Sequence, residues 1–378
     1  MSARLSGQRV VLHVGLPKTG TTHLQGLLVD HRDVLREAGV LYPFLRPGAM
    51  FHGAVEVRGS HAKFGLTAEQ VAGTWQALCD RARDFPGTTV ISHEVLAGAT
   101  PEEIAQALAP LAGLEVHVVV TARDLGRQAT AHWQEEVKLG DTRSFADFER
   151  DQFRADTAPG DPARPHFWHA QDAADALARW STAVPPERVH LVVCPAPGDR
   201  RTALWERFAD AAGIDAALVE ADTPDRANAS LGTLQIAHLR QLNAALDGRL
   251  EAGVYHRIVK KQYAEGVLAR QPGERPRTPA PLGDVLAPAT ARVLDRVRAA
   301  GHPVHGDLAD LEPVLAGPGE PHPDEVDAAA LAALDAAGVA ERLVAEARRD
   351  TPPRKRLGRV GARLAGLRKA PRRDRPDA

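Results

Sequence analysis

Residues 10–28 join a short apolar run to a glycine- and proline-containing loop and then to the start of a helix. The run Val10–Val14 predicts a buried strand, and the apolar spacing after Thr21 predicts the helix. A loop of this kind points backbone N–H groups at one spot, where the helix dipole adds partial positive charge. The sequence therefore predicts an anion site that suits a phosphate group.

The loop differs from the phosphate loop of nucleoside triphosphatases in the place of its lysine. Gly15 and Gly20 have the spacing of the pattern G-x-x-x-x-G-K-[ST], but Thr21 stands where the lysine belongs and Lys18 lies inside the loop. The usual lysine reaches the β- and γ-phosphates of a triphosphate, and the next hydroxyl holds Mg²⁺. A lysine inside the loop suits a shorter anion, such as one 5′-phosphate that carries a small leaving group.

The six-residue segment 17–22 resembles the 5′-phosphosulfate loop of sulfotransferases that use 3′-phosphoadenosine 5′-phosphosulfate. The resemblance implies that this segment binds the co-substrate and that Lys18 neutralises charge on the bridging oxygen of the departing phosphate. The residues it assigns to co-substrate binding are Pro17, Lys18, Thr19, Gly20, Thr21 and Thr22.

A second phosphate site is expected at the end of another strand. The β-branched run Glu115–Thr121 is soon followed by Arg123, and the resemblance implies that this arginine and a serine eight residues later hold the 3′-phosphate. Ala131 occupies the serine position, so the neighbouring Thr130 is the candidate hydroxyl.

A later segment resembles the R-x-N-x-S-L pattern of bacterial sulfotransferase-like proteins. The resemblance implies co-substrate contacts from Arg226, Asn228 and Ser230. The local pattern also predicts that Asn228 or Ser230 caps a helix that begins at Leu231.

A third strand, Thr88–Ser92, is followed by His93 and Glu94. In open α/β sheets, ligands bind outside the carboxyl ends of the strands, so these side chains are expected near Lys18 and Arg123. Either residue suits the role of the base that takes a proton from an acceptor hydroxyl, and the resemblance does not choose between them. The scheme needs no metal, and the sequence contains no histidine or cysteine cluster with zinc-ligand spacing.

Alternating strand and helix patterns predict an α/β fold of the P-loop type, a parallel sheet with helices on both faces. The predicted strands are Arg9–Val14, Thr88–Ser92, Glu115–Thr121 and Arg188–Val193, and the predicted helices include Thr67–Phe85, Pro101–Leu111, Ala170–Ala183, Arg201–Ala212, Ala287–Ala300 and Asp327–Arg348. The segment 271–281, rich in proline, arginine and glycine, predicts a linker or surface loop. We therefore expect a catalytic domain over 1–270, a helical extension over 271–350 and a basic tail over 351–378.

Composition limits location and partners. The chain of 378 residues has a net charge of −2, only two cysteines, no long apolar segment and no signal peptide pattern, which predicts a reduced, cytoplasmic protein. Ten arginines and lysines in 354–375 predict a solvated tail or a basic amphipathic helix on an anionic membrane. The tail has no aromatic residue to stack on bases, so nucleic acid is not expected as a partner.

The resemblance implies a sulfotransferase that moves a sulfuryl group from 3′-phosphoadenosine 5′-phosphosulfate to a hydroxyl or amine of a small-molecule, lipid or carbohydrate acceptor. Two alternatives stay open. One is a P-loop kinase that uses ATP and Mg²⁺, against which the position of Lys18 counts. The other is a nucleotide-binding protein without turnover, which Ala131 keeps open.

Overall fold

Six parallel strands form one sheet in the computed structural model, which describes residues 8–153, 161, 163–222 and 230–350. The strand order is β2-β3-β1-β4-β5-β6, and each neighbouring pair is parallel. The strands are β1 (Arg9–His13), β2 (Val40–Leu41), β3 (Thr88–Ser92), β4 (Glu115–Ala122), β5 (Val189–Val193) and β6 (Val304–His305).

The order of the strands places a topological switch between β1 and β4. The chain leaves β1 towards β2 on one side of the sheet and leaves β4 towards β5 on the other side. Ligands of open α/β sheets bind at such a switch, outside the carboxyl ends of the two strands. The loops that carry Lys18 and Arg123 follow these two strands.

The helices account for most of the remaining described residues. The α-helices are α1 (Thr21–Asp30), α2 (Arg32–Glu37), α3 (Ala49–Val57), α4 (Ala68–Val71), α5 (Thr74–Asp84), α6 (Pro101–Leu108), α7 (Leu125–Lys138), α8 (Phe145–Gln152), α9 (His166–Gln171), α10 (Ala173–Trp180), α11 (Ala203–Ala212), α12 (Thr233–Leu246), α13 (Ala252–Tyr255), α14 (Gly283–Ala300), α15 (Ala328–Ala333) and α16 (Ala336–Asp350). A π-helix spans His256–Glu265, and single 3-10 turns lie at His61–Phe64, Glu94–Gly98, Ala109–Leu111, Pro186–Arg188, Ala216–Leu218, Leu268–Arg270, Ala280–Leu282 and Leu308–Leu311.

Both faces of the sheet are covered, as the alternating pattern predicts. Alternate strand residues divide between two apolar clusters: Leu12 and Val118 pack with helices α5, α6 and α10, whereas Val11 and Val119 pack with α1 and α11. The α/β class with a parallel sheet and a helical C-terminal part is therefore confirmed.

The four predicted strands are present, and the structure adds the edge strands β2 and β6. Each edge strand has two residues, which is too short for a periodic signal. Two predicted helices are broken. Gly73 adopts a φ of +74° between α4 and α5, and Asp335 adopts a φ of +47° between α15 and α16. A residue in the left-handed conformation interrupts a helix without changing the apolar periodicity of the sequence. The periodicity therefore predicts one continuous helix at each of these two places.

The C-terminal helical part packs against the beginning of α7. The Thr278 hydroxyl donates a hydrogen bond of 2.6 Å to the Gly126 carbonyl, and the Val314 N–H donates one of 3.0 Å to Asp124. Apolar residues of α7 share a third cluster with α12, α14 and α16. The domain boundary predicted at residue 270 stays a prediction. The third apolar cluster contains residues from both sides of it.

Within the residues that the structure describes, no helix is long and apolar enough to cross a lipid bilayer. The basic tail over 351–378 lies outside the described residues.

We predict opposite effects for alanine at two helical glycines. A Cβ at Gly126 would lie 2.3 Å from the Val314 carbonyl oxygen, so Gly126→Ala should lower the free energy of unfolding by about 1–3 kcal/mol. A Cβ at Gly26 would meet no atom within 4 Å, so Gly26→Ala should raise the free energy of unfolding by about 0.5–1 kcal/mol. Urea unfolding of both variants measures the difference. Equal effects would contradict the close packing of the C-terminal part on α7.

Candidate active site

The loop between β1 and α1, residues 14–20, holds three residues in the left-handed region. Gly15, Lys18 and Gly20 have φ values of +62°, +66° and +81°. Lys18 is the unusual member because side chains rarely adopt this conformation, which marks strained positions in functional loops. A Cβ at Gly15 would lie 2.7 Å from Thr21 Cγ2, so close packing against α1 requires glycine there.

The β1–α1 loop leaves a group of backbone donors without partners. Among the described residues, the N–H groups of residues 18–22 make no hydrogen bond, and no side chain caps α1. The first turn of α1 also contains no acidic residue. Unpaired N–H groups beside left-handed residues at a helix N-terminus form a nest for an anion. The geometry thus fits the predicted phosphate role.

A buried hydrogen-bond chain supports the loop from below. His13 Nδ1 lies 2.8 Å from the Ser92 hydroxyl on β3, and His13 Nε2 lies 3.3 Å from the Thr121 hydroxyl on β4. The Thr121 hydroxyl lies 2.6 Å from the Thr19 hydroxyl, which donates to the Leu16 carbonyl at 2.6 Å. One assignment satisfies every member: Ser92 donates to His13, His13 to Thr121, and Thr121 to Thr19. It requires a neutral His13 ring with its proton on Nε2.

The predicted loop residues divide into two groups. Thr19 is buried and its hydroxyl is used inside the protein, whereas the hydroxyls of Thr21 and Thr22 make no hydrogen bond among the described residues. The Pro17 carbonyl is held by the side-chain amides of Gln128 and Gln171 at 2.9 and 3.4 Å. Pro17 and Thr19 therefore shape the β1–α1 loop, and the donors available to an anion come from its backbone, Thr21 and Thr22.

A cluster of lysines surrounds one carboxylate above the loop. Lys18 forms an ion pair with Glu135 of α7, and the Lys260 ammonium lies 2.6 Å from the other oxygen of the same carboxylate. Burial would raise the pKa of Glu135, but the two ammonium groups hold it well below its usual range. Burial, together with repulsion from Lys18, lowers the pKa of Lys138 to about 8. This Lys18–Lys138–Lys260 cluster carries more positive charge than the Glu135 carboxylate neutralises.

Sequence reasoning missed Lys260 altogether and did not identify Glu135 as the partner of Lys18. Lys260 lies in the π-helix, more than 240 residues after the loop it serves, in a stretch with no motif. A long π-helix is rare and is often found at functional sites, but it has no sequence signature that periodicity detects.

Arg123 follows β4 and is the second predicted phosphate contact. Burial lowers the pKa of its guanidinium, and the neighbouring Arg127 lowers it further. Among the described residues it makes no hydrogen bond or ion pair, because the adjacent Asp124 carboxylate is bound by Arg127 and by the Val314 N–H. Arg123 is therefore a half-buried cation without a matched anion.

Thr130 is placed less favourably than Arg123. It lies inside α7 and is buried, and its hydroxyl is 3.5 Å from the Arg127 carbonyl one turn earlier. Its role in binding the 3′-phosphate stays a prediction.

His93 and Glu94 lie side by side next to the loop, with His93 Nδ1 3.8 Å from Glu94 Oε2. The His93 ring lies 5.3 Å from the Phe51 ring, and its Nδ1 accepts a hydrogen bond of 3.2 Å from the Val95 N–H. Glu94 lies against the β1–α1 loop, since a Cβ at Gly15 would be 3.1 Å from Glu94 Cβ. Burial lowers the pKa of His93. Burial opposes ionisation of Glu94, but the His93 ring, in its protonated form at acidic pH, a hydrogen bond from the Glu94 backbone N–H and the Lys18 ammonium together lower the pKa of that carboxyl. At neutral pH, His93 is thus uncharged and Glu94 is ionised.

The later segment predicted to contact the co-substrate lies mostly outside the described residues, including Arg226 and Asn228. Ser230 is exposed, and α12 begins at Thr233 with Gly232 as its N-cap. The predicted capping of a helix at Leu231 is therefore wrong. The backbone of Leu231 instead pairs with the Gln134 side-chain amide, accepting at 3.3 Å and donating at 3.1 Å.

Comparisons with family models, curated proteins and solved structures find no match to this chain.

We predict that protonation of His13 destabilises the fold. Burial lowers its pKa from 6.5 to about 4, so the unfolded chain binds this proton at a higher pH than the folded protein does. The free energy of unfolding should be insensitive to this group above pH 6.5 and should fall by about 3 kcal/mol between pH 6.5 and 4.

Urea unfolding at several pH values measures the loss, and NMR titration of the His13 ring assigns it. Assignment is needed because burial also lowers the pKa of His190 to about 4. A His13 ring that titrates near pH 6.5 would contradict the neutral hydrogen-bond chain.

Proposed function

We propose that this protein is a sulfotransferase that takes a sulfuryl group from 3′-phosphoadenosine 5′-phosphosulfate. One observation carries the proposal: two cationic sites lie on either side of the switch between β1 and β4, and neither is fully paired with other described residues. The first is the β1–α1 loop with Lys18 and its unpaired N–H groups, and the second is the half-buried, unmatched Arg123. A nucleotide with phosphates at both ends matches two such sites.

The residues present fit the two ends of this nucleotide. The loop N–H groups, Thr21, Thr22 and Lys18 would hold the 5′-phosphosulfate, with Lys260 as a second ammonium. Arg123 would hold the 3′-phosphate. The exposed Arg275 is close enough to Arg123 for the two positive charges to repel each other. Charge-assisted hydrogen bonds of this kind are about twice as strong as neutral ones.

The bound nucleotide supplies an activated sulfuryl group, and the protein supplies orientation, cations and a base. Lys18 and Lys260 would neutralise negative charge on the leaving phosphate, an effect that grows in a site shielded from water. Glu94 is the better candidate for the base. Its carboxylate is ionised and lies beside the loop, whereas the neutral His93 ring uses Nδ1 to accept the Val95 N–H and so carries its proton on Nε2.

The alternatives make different demands on the same residues. A kinase would need Mg²⁺ and a lysine directed at a triphosphate, but Thr21 occupies that lysine position. A binder without turnover would keep both cationic sites and lack a functional base. The proposal also includes a small-molecule, lipid or carbohydrate acceptor and a cytoplasmic location. It further includes membrane contact through the basic tail over 351–378.

We predict that adenosine 3′,5′-bisphosphate binds the protein and that loss of a cation weakens binding. Lys18→Ala and Arg123→Ala each remove a charge-assisted contact worth about 1.5–3 kcal/mol, so each should raise Kd about 10- to 100-fold in calorimetric titration. Lys260→Ala should also weaken binding.

Lys261→Ala is the matched control for Lys260→Ala. Lys261 is adjacent in sequence but pairs with Glu265, and its side chain is 55% exposed. Its removal should leave Kd unchanged. Binding of ATP with Mg²⁺ in place of the bisphosphate would reject the sulfotransferase proposal and favour the kinase.

We predict that Glu94→Gln lowers sulfuryl transfer about 10²- to 10⁴-fold, because the amide cannot accept the acceptor proton. His93→Gln should have a much smaller effect on turnover. Both variants should bind adenosine 3′,5′-bisphosphate like the wild type. The measurement is transfer of radiolabelled sulfate to any acceptor that the wild type uses, and a larger loss in His93→Gln would reverse the two roles.

A further inference from the structure

Three side chains outside the nucleotide site direct donor atoms at one point. His132 and Glu136 lie one turn apart on α7, and His166 begins α9. His132 Nε2 is 3.1 Å from His166 Nδ1 and 3.3 Å from Glu136 Oε1, and His166 Nδ1 is 3.8 Å from the same oxygen. The three atoms thus form a compact triangle of two imidazole nitrogens and one carboxylate oxygen.

The size of the triangle matches the coordination shell of zinc. Bonds of about 2.0–2.1 Å in a tetrahedral site place neighbouring ligand atoms about 3.4 Å apart. The three observed separations bracket that value. Two imidazoles and one carboxylate are also a ligand set that zinc takes in proteins, with the fourth position left to water.

The ligands are held in place by their surroundings. The His132 ring packs between the rings of Phe148 and Phe167, at centroid distances of 6.0 and 5.6 Å. The second oxygen of Glu136 accepts a hydrogen bond of 2.6 Å from Arg143, which leaves Oε1 directed at the histidines. Outer contacts of this kind orient metal ligands before the ion arrives.

The site is open to solvent on one side. The His166 side chain is 68% exposed, which provides an entry path and access for a water ligand.

We propose that His132, Glu136 and His166 bind one zinc ion that joins α9 to α7. Both helices hold the β1–α1 loop, since Gln128 of α7 and Gln171 of α9 donate to the Pro17 carbonyl. The ion would therefore brace the two supports of the loop that carries Lys18. This site does not depend on the proposed sulfuryl transfer.

The test is a titration of metal-free, tag-free protein with zinc chloride in competition with a chromophoric chelator. The wild type should bind one zinc ion per chain. His166→Ala, whose exposed side chain can be removed without disturbing the core, should raise Kd by at least about 100-fold, as should Glu136→Gln. His169→Ala, an exposed histidine on the same helix, is the matched control and should bind like the wild type.

Cobalt and heat provide readouts that a scattered surface site would not give. Cobalt should produce the intense visible absorption of a four-coordinate ion in wild type and in His169→Ala, but not in His166→Ala. Zinc should raise the midpoint of thermal unfolding in the same two proteins only. Absence of stoichiometric binding in the wild type, or equal binding in His166→Ala, would overturn the proposal.

Discussion

The candidate active site depends on one buried hydrogen-bond chain that crosses the middle of the sheet. Through His13, the chain links Ser92 of β3 to Thr121 of β4, and it then continues to Thr19 and the Leu16 carbonyl. Every donor in this hydrogen-bond chain finds an acceptor when His13 is neutral, but not when the ring is protonated. The chain thus couples the position of the β1–α1 loop to the register of three central strands, and it turns a polar interruption of an apolar strand into a support for the loop.

This support holds the loop in place although the backbone N–H groups on its outer side are not paired with other described residues. The internal groups of the loop are paired with the strands, Cys194, Gln128 and Gln171, while the N–H groups of residues 18–22 have no partner among the described residues. These N–H groups lie next to Lys18 and Lys260, which gives the region a positive character that suits an anion. The same logic applies across the switch, where Asp124 is bound by Arg127 and leaves Arg123 unmatched.

The local features of the site could be predicted from sequence because each follows from a short segment. The apolar run and glycine spacing of residues 10–28 predicted the strand, the loop and the helix, and the run before Arg123 predicted its strand-end position. Features that depend on distant segments could not be predicted. Lys260 reaches Glu135 from the π-helix, and His166 reaches His132 and Glu136 from another helix, so no spacing in the sequence reveals either contact. The predicted start of the helix at Leu231 was wrong, because the side-chain amide of Gln134, on α7, binds the Leu231 backbone and α12 begins only at Thr233.

The most direct test of the central claim is a crystal structure of the protein with adenosine 3′,5′-bisphosphate. One phosphate should lie on the N–H groups of the β1–α1 loop beside Lys18 and the other on the Arg123 guanidinium, with the adenosine across the β1/β4 switch. A bisphosphate bound away from these two strand ends, or density only for a triphosphate with Mg²⁺ in the loop, would contradict it.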